Sequence, residues 1–137
     1  MSNLEAIVQT YYRAFNERNF AAYTELFTAD CVVEAPGMSL SGIEGTRLFD
    51  RGWIEAFPSS RVESMRMTTA GNVVVTGNWF HAGKQQGTLK TPSADIPPTG
   101  VDFEAPYCSL FELHGSKIKL QRLLFEPSFV PLKLGLR

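Results

Sequence analysis

The hydrophobic spacing of this chain changes along its length, and the change restricts the folds open to it. Residues 1–57 contain three amphipathic helical patterns and one short strand-like stretch at 31–35, whereas residues 61–125 contain four strand-like stretches. Helices followed by a run of strands are typical of an α+β domain, with the helices against one face of an antiparallel sheet. Since no linker or internal repeat interrupts the pattern, residues 1–137 are predicted to form a single domain.

Capping residues mark the starts of the predicted helices. Ser2 and Ser41 each stand three residues before a glutamate, which is the S-x-x-E pattern of a capping box. Asn19 is a candidate N-cap for a short second helix between them. Pro58 ends the third helix, because proline lacks the amide hydrogen that a helix interior requires. The apolar stripe predicted for that third helix contains Phe49, Trp53, Ala56 and Phe57.

The second half of the chain predicts hairpins of strands. The strand-like stretches are residues 61–69, 73–82, 101–113 and 117–125, and short turns at 70–72 and 114–116 join two pairs of them. Residues 83–100 are polar and contain glycine and three prolines, so they are predicted to form a long loop. A short final helix is predicted from Ser128 to Gly135.

Charge and hydropathy exclude two kinds of partner. The chain has 13 basic and 14 acidic residues without a run of like charge, so we expect no nucleic-acid partner. Its first residues lack the basic-then-apolar pattern of a signal peptide, and no apolar stretch approaches the length of a membrane span. We therefore expect a cytoplasmic protein without a membrane partner.

No pattern of metal-ligating residues or cofactor motif is present. The two cysteines, Cys31 and Cys108, and the two histidines, His81 and His114, lack the spacing of a zinc site. The chain also has no P-loop, no dinucleotide-binding fingerprint and no nucleophile elbow. We expect neither a metal nor an organic cofactor.

Glu126 is the most informative ionisable residue, because it follows an apolar run at the end of the last strand. If residues 117–126 are extended, Arg122, Leu124 and Glu126 share a mainly apolar face that we predict to point inward. A carboxyl group in an apolar pocket suits general acid or base catalysis near neutral pH. The alternative is that Glu126 projects into solvent at the strand end and precedes the last helix.

Further candidates for a ligand site are aromatic or polar. Tyr12 and Phe15 lie on the first helix, Trp53 on the third, and Trp79 and Tyr107 on strands, where they could line a cavity or fill it. Asn78 and His81 lie on opposite faces of the strand 73–82, so only one of them can point inward.

Several motifs resemble the SnoaL-like polyketide cyclase family of the NTF2-like superfamily. They are YYRAFNERNF at 11–20, LFTADCVVEAPG at 26–37, the segment from GKQQGTL to DIPPTG at 83–100, and LLFEPSFVPLKLG at 123–135. The resemblance implies a cone in which a curved antiparallel sheet is wrapped by about three N-terminal helices around a deep pocket. It also implies a homodimer.

The resemblance implies catalysis by Glu126, which stands where the family has its acid/base aspartate. The expected protein is a cofactor-independent cyclase or isomerase that acts on a small hydrophobic or polycyclic, polyketide- or terpenoid-like carbonyl substrate. Arg122 would hold an acidic or enolate group or set the pKa of the acid. The family's loop histidine is Gln85 here, and the basic residue after PPTG is Val101, so the family's own substrate does not carry over.

Two alternatives stay open at this stage. The same cone could open an epoxide with an acid-activated water or hydroxyl, for which Asn78 and Glu34 are candidates to position the nucleophile. It could also be a non-catalytic module that binds a small molecule, since a fold does not determine a function.

Overall fold

The computed structural model of the protein describes residues 2–92, 94–126 and 129–135. Helices precede the main run of strands, as the sequence predicts. The helices are α1 (Asn3–Glu17), α2 (Phe20–Thr24), α3 (Gly42–Ala56) and α4 (Phe129–Lys133). The strands are β1 (Phe27–Ala35), β2 (Met38–Ser41), β3 (Arg61–Ala70), β4 (Val73–Lys84), β5 (Leu89–Lys90), β6 (Asp95–Ile96), β7 (Asp102–His114) and β8 (Lys117–Leu124).

Six of these strands form one curved sheet in the order β2-β1-β8-β7-β4-β3. Neighbouring strands are antiparallel except β1 and β8, which run parallel. These two strands are far apart in the sequence, so no hairpin constrains their relative direction. The predicted α+β class is therefore confirmed, with one parallel pair in an otherwise antiparallel sheet.

Two of the three predicted helix caps form as expected. The Ser2 side chain accepts a hydrogen bond from the Glu5 amide, and the Asn19 side chain accepts one from the Ala22 amide. Ser41 is the N-cap of α3 but makes no capping hydrogen bond through its side chain. At the C-terminus of α1, Arg18 adopts a left-handed conformation with φ of 58° and ends the helix.

Some element boundaries differ from the sequence prediction. Strand β1 begins at Phe27 rather than at Cys31, and Phe27 pairs with Ile118 of β8. Strand β2 was not predicted, since its four residues contain only two apolar side chains. Helix α4 is confirmed in the described part of the C-terminal segment, while Ser128, its predicted start, lies outside the described residues.

The predicted long loop 83–100 is held together by a buried glutamine and contains a small hairpin, β5 and β6. The Gln85 amide nitrogen donates to the carbonyl oxygens of Gly87 and Ile96, at 3.1 and 3.0 Å. Its amide oxygen accepts hydrogen bonds from the backbone and hydroxyl of Thr99. Gln85 therefore orders this segment where the sequence resemblance expects a histidine.

Strand β8 contains one residue more than its partner β7 over the same length. Leu113 pairs with Ile118 and Glu112 pairs with Leu120, so Lys119 is the extra residue. An extra residue reverses the alternation of the side chains that follow it. This bulge determines which side chains of β8 reach the concave face of the sheet.

The main core lies between α1 and the concave face of the sheet. Val8, Tyr11 and Phe15 of α1 pack there with Phe111 of β7 and Ile118 of β8, all nearly inaccessible to solvent. Among the described residues, no helix combines the length and the apolar character needed to cross a membrane.

Candidate functional site

A carboxyl group is buried where α3 faces α1. Asp50 is only 4% exposed and lies on the buried stripe of α3. The phenols of Tyr11 and Tyr23 donate hydrogen bonds to its Oδ2 atom at 2.8 and 2.6 Å. Both bonds end on the same oxygen, so neither phenol engages Oδ1. The carboxyl group is thus fixed in position while one of its oxygens stays available.

Burial gives this carboxyl group an unusual acidity. Loss of solvation raises the pKa of Asp50 to about 6, and the hydrogen bonds from Tyr23 and Tyr11 partly oppose that rise. Burial, and then the nearby Asp50 charge, raise the pKa values of Tyr11 and Tyr23 far above their usual range. The two phenols therefore remain protonated donors, whereas Asp50 can change its charge near neutral pH.

A glutamine extends this network across the sheet. The amide nitrogen of Gln121 on β8 donates to the Tyr11 hydroxyl at 3.1 Å. Gln121 is 2% exposed, and its amide oxygen has no hydrogen-bond partner among the described residues. A buried acceptor without a partner is costly, so this oxygen is a favourable contact for a donor on a ligand or a water.

A second polar group lies further along the same face. The Tyr12 hydroxyl is 2.9 Å from the hydroxyl of Thr76, and the Asn78 amide nitrogen donates to both at 3.0 Å. Burial raises the pKa values of Tyr12 and of the neighbouring Tyr107. Both phenols are therefore neutral hydrogen-bond donors at physiological pH.

These groups surround a cavity of about 60 Å³ on the concave side of the sheet, which we call the inner cavity. Most of its wall is aromatic or aliphatic, and Asp50, Gln121 and three tyrosines supply its polar atoms. Its lining residues are Tyr11, Tyr12, Phe15, Phe49, Asp50, Trp53, Val62, Phe80, Phe103, Ala105, Pro106, Tyr107, Gln121, Leu123, Phe125 and Val130.

A larger depression, which we call the outer pocket, lies beside the inner cavity and has a volume of about 630 Å³. It is formed by α3, the β1–β2 hairpin, residues 88–92 and the start of α4. Four residues line both spaces, namely Phe49, Trp53, Phe125 and Val130. The same side chains therefore form part of the wall of both spaces.

Several residues predicted from the sequence do meet at the inner cavity. Tyr12 and Phe15 of α1, Trp53 of α3 and Tyr107 of β7 line it. Asn78 is buried on the same face of β4 and hydrogen-bonds Tyr12. The structure therefore brings together five of the proposed substrate-binding residues, and their contact with a substrate remains a prediction.

The prediction of which face of the last strand points inward was wrong. Because of the bulge at Lys119, Gln121 and Leu123 point inward, whereas Arg122 and Leu124 are exposed, Leu124 by 49%. Arg122 pairs instead with Glu34 of the neighbouring strand β1, at 3.3 Å.

Glu126 is also exposed and is not among the described residues that line the inner cavity or the outer pocket. Its assignment as the acid/base group remains a prediction from the sequence.

Trp79 and His81 were predicted near the ligand but belong to the opposite face of β4. The buried residues of that strand, Val74, Thr76, Asn78 and Ala82, lie on its other face. The two ring nitrogens of His81 lie 3.0 Å from Glu63 and 3.3 Å from Glu104, both of which are largely exposed. His81 therefore links three strands on the outer surface of the sheet.

The described residues contain no group of three or more histidine, cysteine, aspartate or glutamate side chains that could hold a metal ion. Cys31 is buried beside Thr46, and Cys108 is exposed on β7; both are free thiols.

Residues 8–121 match the sequence model of the SnoaL-like domain. This chain belongs to the SnoaL-like domain family. The match runs from within α1 into β8 and includes Asp50, Gln121 and most of the residues that line the inner cavity. No curated protein matches the chain in sequence.

Solved structures share the fold of this SnoaL-like domain at low sequence identity. A candidate SnoaL-like polyketide cyclase from Jannaschia sp. CCS1 is 22% identical, with a TM-score of 0.80 over 96% of this chain and 92% of that one. A ketosteroid isomerase-like fold protein from Catenulispora acidiphila, in complex with trimethylamine, is 19% identical, with a TM-score of 0.75 over 96% and 93%. TerC, co-crystallised with polyporic acid, is 11% identical, with a TM-score of 0.77 over 98% of this chain and 99% of that one. At these identities the comparisons show the NTF2-like fold alone.

The helical spacing of the sequence indicates that Asp50 is buried, although the sequence analysis did not predict it as a site residue. Thr46, Phe49, Asp50 and Trp53 are spaced as one face of a helix, so a charged residue stands in the predicted apolar stripe of α3 of the SnoaL-like domain. No sequence pattern indicates that Gln121 is buried, because its inward orientation depends on the bulge at Lys119.

Proposed function

We propose that this SnoaL-like domain is an enzyme that moves a proton on a small, mainly apolar carbonyl compound, with Asp50 as the acid/base group. The observation that carries the proposal is the buried Asp50 carboxyl, whose pKa is raised to about 6 and which two phenols hold in position. General bases work best when their pKa lies near the operating pH. This step needs no cofactor.

The chemistry assigned to the site is proton removal next to a carbonyl. Asp50 would take the proton on Oδ1, and negative charge would develop on the carbonyl oxygen of the substrate. The phenols of Tyr12 and Tyr107 are neutral donors in the same apolar wall, and a donor placed in a water-poor site stabilises such an oxyanion strongly. The resulting enolate is the intermediate that cyclisation and isomerisation have in common.

The substrate class rests on the apolar wall and on the family. Aromatic side chains line most of the inner cavity, which favours a polyketide- or terpenoid-like substrate. One structural relative is a candidate polyketide cyclase, and another was crystallised with polyporic acid. We propose ring closure or isomerisation of such a compound.

The test measures proton transfer directly. We would follow the exchange of α-hydrogens for deuterium in a panel of aryl methyl ketones and cyclic ketones, by NMR in heavy water. Asp50→Asn should lower the exchange rate by about 100-fold or more. Glu126→Gln, which removes an exposed carboxylate, is the matched control and should leave the rate nearly unchanged.

The same pair of variants can overturn the proposal. If Asp50→Asn retains the wild-type rate, Asp50 is not the base. If Glu126→Gln shows the large loss instead, the role belongs to Glu126, as the sequence resemblance implies.

We also propose that the protein is a cytoplasmic homodimer that pairs through the outer face of its sheet. Met65 of β3, Val75 of β4 and Leu124 of β8 are apolar side chains exposed by 56%, 41% and 49%. Contact between two copies would cover them. Light scattering should then give twice the chain mass of 15.2 kDa, and a monomer mass would contradict the proposal.

A further inference from the structure

We propose that the inner cavity and the outer pocket are two halves of one ligand site, which holds an elongated apolar molecule across the side chains that separate them. The reactive carbonyl or hydroxyl end would lie beside Asp50, and the rest of the molecule would fill the outer pocket. The identity of the reacting end rests on the proposed function, whereas the shape of the ligand rests on the two volumes.

The volumes and lining residues indicate that neither space alone would hold the reacting end and the rest of an organic ligand. The inner cavity holds the polar atoms, but its volume of about 60 Å³ accommodates only a small group. Pockets for organic ligands typically measure roughly 300 to 1,000 Å³. The outer pocket, at about 630 Å³, is of this size, but it does not include Asp50, Tyr12 or Gln121.

Bulky aromatic side chains are common to the walls of the two spaces. Trp53 is one of them, half-buried, with its ring centroid 6.4 Å from that of Phe49 and 6.3 Å from that of Phe125. A change of side-chain rotamer at Trp53 or Phe125 would therefore join the two spaces without a change in the fold.

A glycine in the middle of α3 supports a role for the outer pocket. Gly52 lies in the wall of this pocket, and a Cβ atom placed there would have no heavy atom within 4 Å. Glycine destabilises a helix interior relative to alanine, so its presence calls for a reason. At Gly45 on the same helix the reason is packing, since a Cβ there would approach the Cβ of Leu40 to 3.1 Å. At Gly52 no such packing reason applies, and open space lies beside a residue of the pocket wall.

An exposed leucine also supports an apolar ligand group in the outer pocket. Leu48, one helical turn before Gly52, is 59% exposed and lines the outer pocket. Met38 and Leu40 of the β1–β2 hairpin continue this apolar wall. An alkyl or aryl tail would cover these side chains and gain the free energy of their burial.

The experiment uses 4-alkylphenols as probes, from 4-methylphenol to 4-heptylphenol, with binding measured by calorimetry. The phenol hydroxyl can donate a hydrogen bond to Asp50 or to the amide oxygen of Gln121, while the alkyl chain reaches toward the outer pocket. Affinity for the wild-type protein should increase with chain length, by up to about fourfold per buried methylene.

Two substitutions at Gly52 decide where the chain lies. Gly52→Leu places a branched side chain in the wall of the outer pocket and should weaken the binding of 4-heptylphenol by about tenfold or more, because several methylenes lose their site. The affinity of this variant for 4-methylphenol should equal that of the wild type. Gly52→Ala is the matched control, since it alters helix propensity similarly but occupies little of the pocket, and should keep the dependence on chain length.

Three results would overturn the inference. They are the absence of binding throughout the series, an affinity independent of chain length, and the same dependence on chain length in Gly52→Leu as in the wild type. Circular dichroism of each variant reports whether the fold is kept.

The phenol titrations and the ketone exchange of Asp50→Asn together separate this inference from the proposed function. A chain-length dependence that is sensitive to Gly52→Leu, together with unchanged ketone exchange in Asp50→Asn, would refute the catalytic role alone. Loss of exchange in Asp50→Asn without any chain-length dependence would refute the two-part site alone.

Discussion

Asp50 and Glu126 are both carboxylic acids, but the protein gives them opposite environments. Asp50 is inaccessible to bulk water and is held by two phenols. Glu126 is exposed at the end of β8. The difference shows that an acid beside an apolar run in sequence is not thereby in an apolar site. Burial is decided by which face of its element the residue occupies.

The largest expected effect that separates these two acids is on the pH dependence of catalysis. A base with a pKa of about 6 is almost fully protonated at pH 4 and almost fully ionised at pH 7. The rate of ketone exchange, as kcat/KM, should therefore rise about 100-fold between these pH values and then level off. The Glu126→Gln variant should show the same midpoint. A rate that falls over this range would assign Asp50 the role of an acid, not a base.

A smaller effect is expected on folding stability. The pKa of Asp50, about 6, exceeds the ordinary value of 3.8, so the native state binds the proton more tightly than the unfolded state. The stability from this group is complete below the unfolded pKa and is lost as pH rises through the folded pKa. Between pH 4.5 and 7.5 the loss is about 2 kcal/mol.

Urea titrations of the wild type and Asp50→Asn at pH 4.5 and 7.5 would measure this loss of stability. The difference in unfolding free energy between the two proteins should change by about this amount in favour of Asn at the higher pH. A difference that does not depend on pH would show that the carboxyl group is not desolvated. Glu126→Gln is the control for the loss of one surface charge.

The smallest effect concerns the exposed side of β8. Arg122 and Glu34 form an ion pair in which 45% and 36% of the side chains are exposed. Such pairs contribute little, so Arg122→Ala should lower the unfolding free energy by about 0.5 kcal/mol, and by less in high salt. Ketone exchange should not change. A large loss of exchange in Arg122→Ala would move the functional site toward Glu126.

The order of the elements could be predicted from the sequence because each depends on local signals. Ser2 and Asn19 were recognisable as caps, since capping requires only a side-chain oxygen and the next few amides. The aromatic residues of the inner cavity were also recognisable, because large apolar side chains are usually buried.

The polar part of the site was less predictable, for two physical reasons. Asp50 interrupts the apolar stripe of α3, but only the approach of Tyr11 and Tyr23 explains how its burial is tolerated. Those contacts join residues 39 and 27 positions apart. On β8, the inward position of Gln121 depends on the bulge at Lys119, for which the sequence carries no distinct mark.

That bulge makes the polarity of the cavity depend on the register of a strand as well as on its composition. Lys119 shifts the phase of β8, so that an amide at 121 meets Tyr11 and a guanidinium at 122 meets solvent. If Lys119 paired in a regular ladder instead of forming the bulge, the two would exchange, and a cation would lie beside Asp50 without any substitution in the cavity. Deletion of Lys119 would remove only the extra residue and should leave Gln121 facing inward. The chemistry that β8 contributes to the cavity is therefore determined by the register of the strand as well as by its residues.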